Sequence, residues 1–163
     1  MDPGEALTAT MEAAIGLAGF SGIVVVLGRR SQGEWRPQEE LRLTNLLVGS
    51  LTAFLVSLLG VLLLSSPLSH TTVWSLCSVA WLVAVGWHSG WIVVRSRALG
   101  DEGLRHVSPA FYWLGFTSTL ALLALQIVNV VTLRALWPLL AGLFLSLALC
   151  TRQFVMLLRS SRT

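Results

Sequence analysis

Five apolar runs, each about 20 residues long, fill this chain and leave room for little else. A hydrocarbon slab about 30 Å thick needs about 20 helical residues at 1.5 Å each. Composition agrees with that match: of 163 residues, 55% are hydrophobic and 12% charged, roughly half the charged fraction with which a soluble domain covers its surface. The sequence therefore predicts an all-α polytopic membrane bundle of five transmembrane helices. It forms a single transmembrane domain, residues 1–163, with spans at about 7–27, 41–65, 73–94, 110–132 and 137–158.

The first run, ATMEAAIGLAGFSGIVVVLGRR from Ala9 to Arg30, is the most informative. In a helix each residue advances about 100°, so Glu12, Gly16, Gly19 and Ile23 share one stripe. Gly22 extends the small-residue surface. Glycines on a stripe let a neighbouring helix approach closely, so Gly16, Gly19 and Gly22 predict a helix-packing face. On that reading Glu12 lies against protein and not lipid. A span beginning after Glu12 would be only about 22 Å long, too short to cross. The carboxylate is thus forced inside the hydrocarbon edge, about two turns from the outer end.

All eleven basic residues are arginine, a bias that codon usage in a GC-rich genome explains. A pI near 9.7 would suit a nucleic-acid partner. The arginines instead gather at the ends of apolar runs, which membrane topology explains, so no nucleic acid is implied. Arg29, Arg30, Arg36 and Arg42 flank the first loop, Arg95, Arg97 and Arg105 the second, and Arg159 and Arg162 the tail; the other side has Arg134 alone. This asymmetry places the N-terminus outside and the C-terminus in the cytoplasm, and works against insertion in both orientations. The leading segment is acidic (Asp2, Glu5), unlike a secretory signal.

Loop chemistry fits the spans. Trp35 suits an interfacial anchor, Pro37 followed by Glu39 and Glu40 suits a helix start, and Pro67 breaks the second turn. Gly100 to Gly103 reads as a turn, Ser108 and Pro109 as a cap and first helical residue, and Pro138 falls in a first turn. Trp74, Trp81, His88 and Arg95 recur every seven residues on one face, with Trp74, Trp91, Trp113 and Trp137 at interface depths and Trp81 too deep for them. Cys77 and Cys150 lie in apolar runs at depths differing by roughly 10 Å or more. That exceeds disulfide reach, so two buried thiols are expected.

Polar residues inside spans are costly and are candidate site residues by default. Glu12, Gln126 and Asn129 fall at an outer level; Asn45, His88 and Arg152 (with Gln153) fall at an inner one. Two such layers fit either the mouths of a permeation path or two sets of interhelical hydrogen bonds. Glu12 would bind a proton or cation, or else bond a neighbouring helix or reach the outer headgroups. His88 would relay protons or ligate a metal, or else bond a helix carbonyl or stack among Trp87 and Trp91. Arg152 would reach the inner headgroups or pair with a lipid phosphate. Haem ligation by two histidines is poorly supported because His70 and His106 fall in loops. No Ser–His–Asp pairing, His-Glu-x-x-His or Cys-x-x-Cys occurs, and the glycines at 16, 19 and 22 follow no strand. Neither a catalytic residue, a cofactor nor a bound metal is implied.

The segment AGFSGIVVVLGRR, then Trp35, then EELRLTNLL from Glu39 to Leu47, resembles a pattern in small bacterial multi-pass membrane proteins of uncharacterised function. The likeness covers roughly the first third of the chain and implies a bacterial inner-membrane home, without an activity. The expected role is a non-catalytic scaffold or membrane subunit that works in the lipid bilayer as a homo-oligomer or beside a partner protein. The competing expectation is a small oligomeric channel or ion-coupled carrier using Glu12 and His88.

Overall fold

Asp2, Pro3 and Glu5 start the first helix where the apolar periodicity does not. The Asp2 carboxylate accepts from the Gly4 and Glu5 amides at 3.1 and 3.4 Å, and Glu5 accepts back from the Asp2 amide at 3.4 Å. This is a reciprocal capping box with proline at the first helical position. Helix α1 consequently spans Pro3–Gln32, beginning a full turn before the expected residue 7. A computed structural model describes residues 2–32, 37–98 and 109–160, with side chains except at 24–32, 37–38, 96, 98, 109–112 and 159–160. Trp35, the Gly100–Gly103 turn and Ser108 lie outside the described residues.

The other helices are α2, Pro37–Leu64; α3, His70–Ala98; α4, Pro109–Val128; and α5, Leu136–Ser160. A π-helical turn, Asn129–Leu133, extends α4. Pro37 and Pro109 open their helices as their spacing predicts, and Ser69 caps α3, accepting from the Thr72 amide at 3.3 Å. Among the described residues, five stretches are long and apolar enough to cross a membrane: Pro3–Ile23, Glu39–Leu64, His70–Arg95, Trp113–Leu133 and Leu136–Leu158. Large apolar side chains face outward along them, with Trp87 82% and Phe144 74% exposed. Such a surface is at home in lipid and a liability in water.

Several threonine hydroxyls on these helices are satisfied locally. Thr8, Thr10, Thr44, Thr119, Thr132 and Thr151 each donate to the carbonyl four residues back, at 2.8–2.9 Å. A hydroxyl bonded to its own helix makes no demand on its surroundings, so it tolerates lipid.

The residues cluster into two compact units, 1–62 with 143–163, and 63–142. In the first, Leu46, Cys150 and Leu157 form a buried cluster against which Leu17, Leu43 and Phe154 pack. Helix α2 buries Leu46 together with Ser50, Ala53 and Ser57, the last three being small residues that allow close helix contact. At Gly49 an added Cβ would lie 2.5 Å from the Cys150 sulfur, so α2 and α5 cross here only because a side chain is missing. The Cys150 thiol donates to the Leu46 carbonyl at 3.4 Å. Cys77 and Cys150 are both buried and unbridged.

Helix α1 presents Leu7, Ala14 and Ser21, seven residues apart, as its buried stripe. At 100° per residue this stripe lies roughly 170° from the one carrying Glu12, Gly16, Gly19 and Ile23. A Cβ built at Gly16, Gly19 or Gly22 meets nothing within 4 Å, and Glu12 is exposed. The expectation that Glu12 faces protein is therefore overturned within this chain. Periodicity groups residues on a face but does not say where the face points.

In the second unit α3 buries Val73, Trp74, Cys77, Ser78 and Trp81. Trp74 is thus packed inside, stacked edge-on to His70 at 6.1 Å, and does not join an interfacial belt. The π turn ends at Arg134, whose φ of 46° and ψ of 43° are left-handed. A residue with a Cβ costs about 1–2 kcal/mol in that conformation, and more if β-branched. Arg134→Val is expected to lower unfolding stability in detergent by about 1–2 kcal/mol relative to Arg134→Gly; equal stabilities would contradict the strained turn.

Candidate functional site

Asn129 organises the densest polar cluster among the described residues. Its carboxamide oxygen accepts from the Ala135 amide at 2.9 Å, and its nitrogen donates to the Ala135 carbonyl at 3.1 Å and to Ser78 Oγ at 2.8 Å. Its own carbonyl accepts from the Arg134 amide at 2.8 Å, a five-residue bond that defines the π turn. One side chain thereby closes the α4–α5 hairpin and attaches it to α3. All of its donors and its acceptor are engaged, and it is fully buried.

Gln126, one turn earlier, is also fully buried and donates through Nε2 to the Pro138 carbonyl at 2.5 Å. Its Oε1 is buried with no partner among the described residues. Gly142 makes space for this amide: an added Cβ would lie 2.8 Å from Gln126 Nε2 and 3.1 Å from the Trp81 ring. Gln126, Asn129, Ser78, Trp81 and Gly142 thus form one contiguous, tightly packed group. Its amides spend themselves on backbone carbonyls and a hydroxyl, so the group acts chemically as a clasp.

The remaining candidates stand apart from this clasp in the bonds they make. His88 is half-buried on α3 and stacked on Trp91, centroids 5.9 Å apart and planes 16° apart, while Trp87 points outward. Its Nε2 is buried with no hydrogen-bond partner among the described residues. Asn45 is half-buried on α2 with its Oδ1 unpartnered, and Arg152 is half-buried on α5. Glu12 has neither a hydrogen bond nor an ion pair with any described residue. No three His, Cys, Asp or Glu residues come together as a metal site among the described residues.

Ser78 and Gly142 were not singled out as site residues in the sequence. Ser78 is one hydroxyl among many, and its partner is 51 residues away. Gly142 carried a weak signal, since a glycine inside a helix costs about 1 kcal/mol and usually has a packing reason. No family profile, curated protein or solved structure matches this chain.

Gly142→Ala is expected to destabilise the protein by about 1–3 kcal/mol through overpacking. Combining it with Gln126→Ala, which removes the crowded amide, should give back much of that loss; strictly additive losses in reversible detergent unfolding would contradict the clasp.

Proposed function

We propose that this chain is a non-catalytic integral membrane protein, a helix-packing scaffold or the membrane subunit of a larger assembly. The observation that carries the reading is the bonding of Asn129. This fully buried amide devotes its side chain to Ser78 and the Ala135 backbone. Polar groups used in this way hold helices together. The arginine asymmetry supports a cytoplasmic C-terminus and an outer N-terminus, and the resemblance of the first third supports a bacterial inner membrane.

A second reading, an oligomeric channel or ion-coupled carrier, is favoured by two groups. Among the described residues, Glu12 on α1 has no hydrogen-bond or ion-pair partner, and the buried His88 Nε2 has no hydrogen-bond partner. Ionisable side chains left unpaired inside a span are typical of ion pathways.

Proteoliposome flux separates the two. Purified protein should pass protons and monovalent ions no faster than protein-free vesicles, and Glu12→Gln and His88→Ala should change nothing. Flux that requires Glu12, with the protein still folded and assembled, would replace the scaffold with the carrier.

A further inference from the structure

The outward face of α1 has a regular geometry. Glu5, Ala9, Glu12, Gly16, Gly19 and Ile23 follow one another at alternating spacings of four and three, the repeat of a two-helix left-handed seam. Five of the six are exposed and Gly16 is half-buried. At 100° per residue, Ile15 and Phe20 flank the seam on opposite sides. They are 57% and 61% exposed and form walls above a floor of glycine backbone. Elsewhere the outward surface carries large side chains, such as Leu51, Leu55 and Leu62 on α2 and Phe144 on α5. The α1 groove, like the exposed surface at Gly86 and Gly90 of α3 where an added Cβ also meets nothing within 4 Å, is open enough to admit another helix backbone.

Glu12 decides what that helix is. It is the tenth of 21 residues in its span, and no described residue gives it a hydrogen bond or an ion pair. A carboxyl group at that depth needs a partner of matching chemistry at the same depth. Two copies inserted in the same orientation meet this condition by symmetry. A two-fold axis along the membrane normal brings each residue of the seam opposite itself. A carboxylic acid is both donor and acceptor, so two of them bond reciprocally. Residues 2–23 contain no base, and the two-fold axis sets the second copy's own Glu12 at the same depth.

We propose that the Ala9–Ile23 face of α1 is a homodimer interface: it docks α1 of a second copy, with the two Glu12 carboxyls hydrogen-bonded across the axis. This rests on the scaffold reading and names its partner. A foreign helix would need its own polar group at the depth of Glu12, whereas the identical chain supplies it.

Disulfide mapping in native-like bilayers tests the proposal, with the parental chain as blank because its two thiols are buried. Ala9→Cys, Gly19→Cys and Ile23→Cys should each give covalent dimers on oxidation, and Ala13→Cys, about 80° away, should give several-fold less. Equal yields at all four positions, or no dimer at any, would overturn the interface.

Dimerisation measured by single-molecule photobleaching adds a second arm. Gly16→Leu should cut association at least tenfold while leaving the monomer folded, since a Cβ there meets nothing within 4 Å. Glu12→Leu should weaken association about tenfold, and Glu12→Gln, an amide that also both donates and accepts, should preserve it. A chain that stays monomeric at every density, or that cross-links only to a different protein, defeats the homodimer. Flux recorded on the same samples keeps the two claims separate: absent dimers with absent flux remove only this inference, and flux dependent on Glu12 removes the scaffold reading.

Discussion

Hydrocarbon offers no hydrogen bonds, and this constraint governs the fold. Every backbone and side-chain polar group inside a span must find its partner within the protein. The chain meets much of the demand at three levels, while Asn45 Oδ1, Ser57 Oγ, His88 Nε2 and Gln126 Oε1 are buried with no hydrogen-bond partner among the described residues. Helices satisfy the backbone. Threonine hydroxyls return to carbonyls of their own helix. The amides of Gln126 and Asn129, too large to be satisfied that way, bridge to the Pro138 carbonyl, to Ala135 and to Ser78. Asn129 also resolves a backbone problem, because the end of α4 would otherwise leave carbonyls and amides unpaired at the hairpin.

Packing follows a second rule, that close approach requires missing atoms. Gly49 admits the Cys150 sulfur, and Gly142 admits the Gln126 amide and the Trp81 ring. Small residues at Ala14, Ser21, Ser50, Ala53 and Ser57 line the buried stripes of α1 and α2. With no hydrophobic drive between helices in lipid, such van der Waals contact and a few hydrogen bonds provide the association energy. The same logic makes the bare glycines of α1 meaningful, since they prepare a contact that this chain does not complete with its own helices.

The five helices long and apolar enough to cross a membrane were legible because length and apolarity are one-dimensional properties of a sequence. Pro37, Pro67 and Pro109 marked boundaries for equally local reasons. The start of α1 was local too: Asp2, Pro3 and Glu5 form a capping box, but apolar periodicity alone points to a later residue. Gln126 and Asn129 could be singled out as costly, whereas their partners could not. A serine 51 residues away and a proline carbonyl become partners only once the helices are placed. The Glu12 stripe shows the limit most clearly. Its grouping was correct, and its direction was not, because facing inward or outward depends on where Leu7, Ala14 and Ser21 find their contacts.

The account stands or falls on whether a buried amide joins helices, so the Ser78–Asn129 pair is the place to measure. A double-mutant cycle with Ser78→Ala and Asn129→Ala, read by reversible unfolding in detergent or bicelles, isolates the bond between them. The account predicts a favourable coupling of about 0.5–1.7 kcal/mol, the range for interhelical hydrogen bonds in membranes. Additive losses, with coupling indistinguishable from zero, would show that the amide is not a fastener and would contradict the central claim.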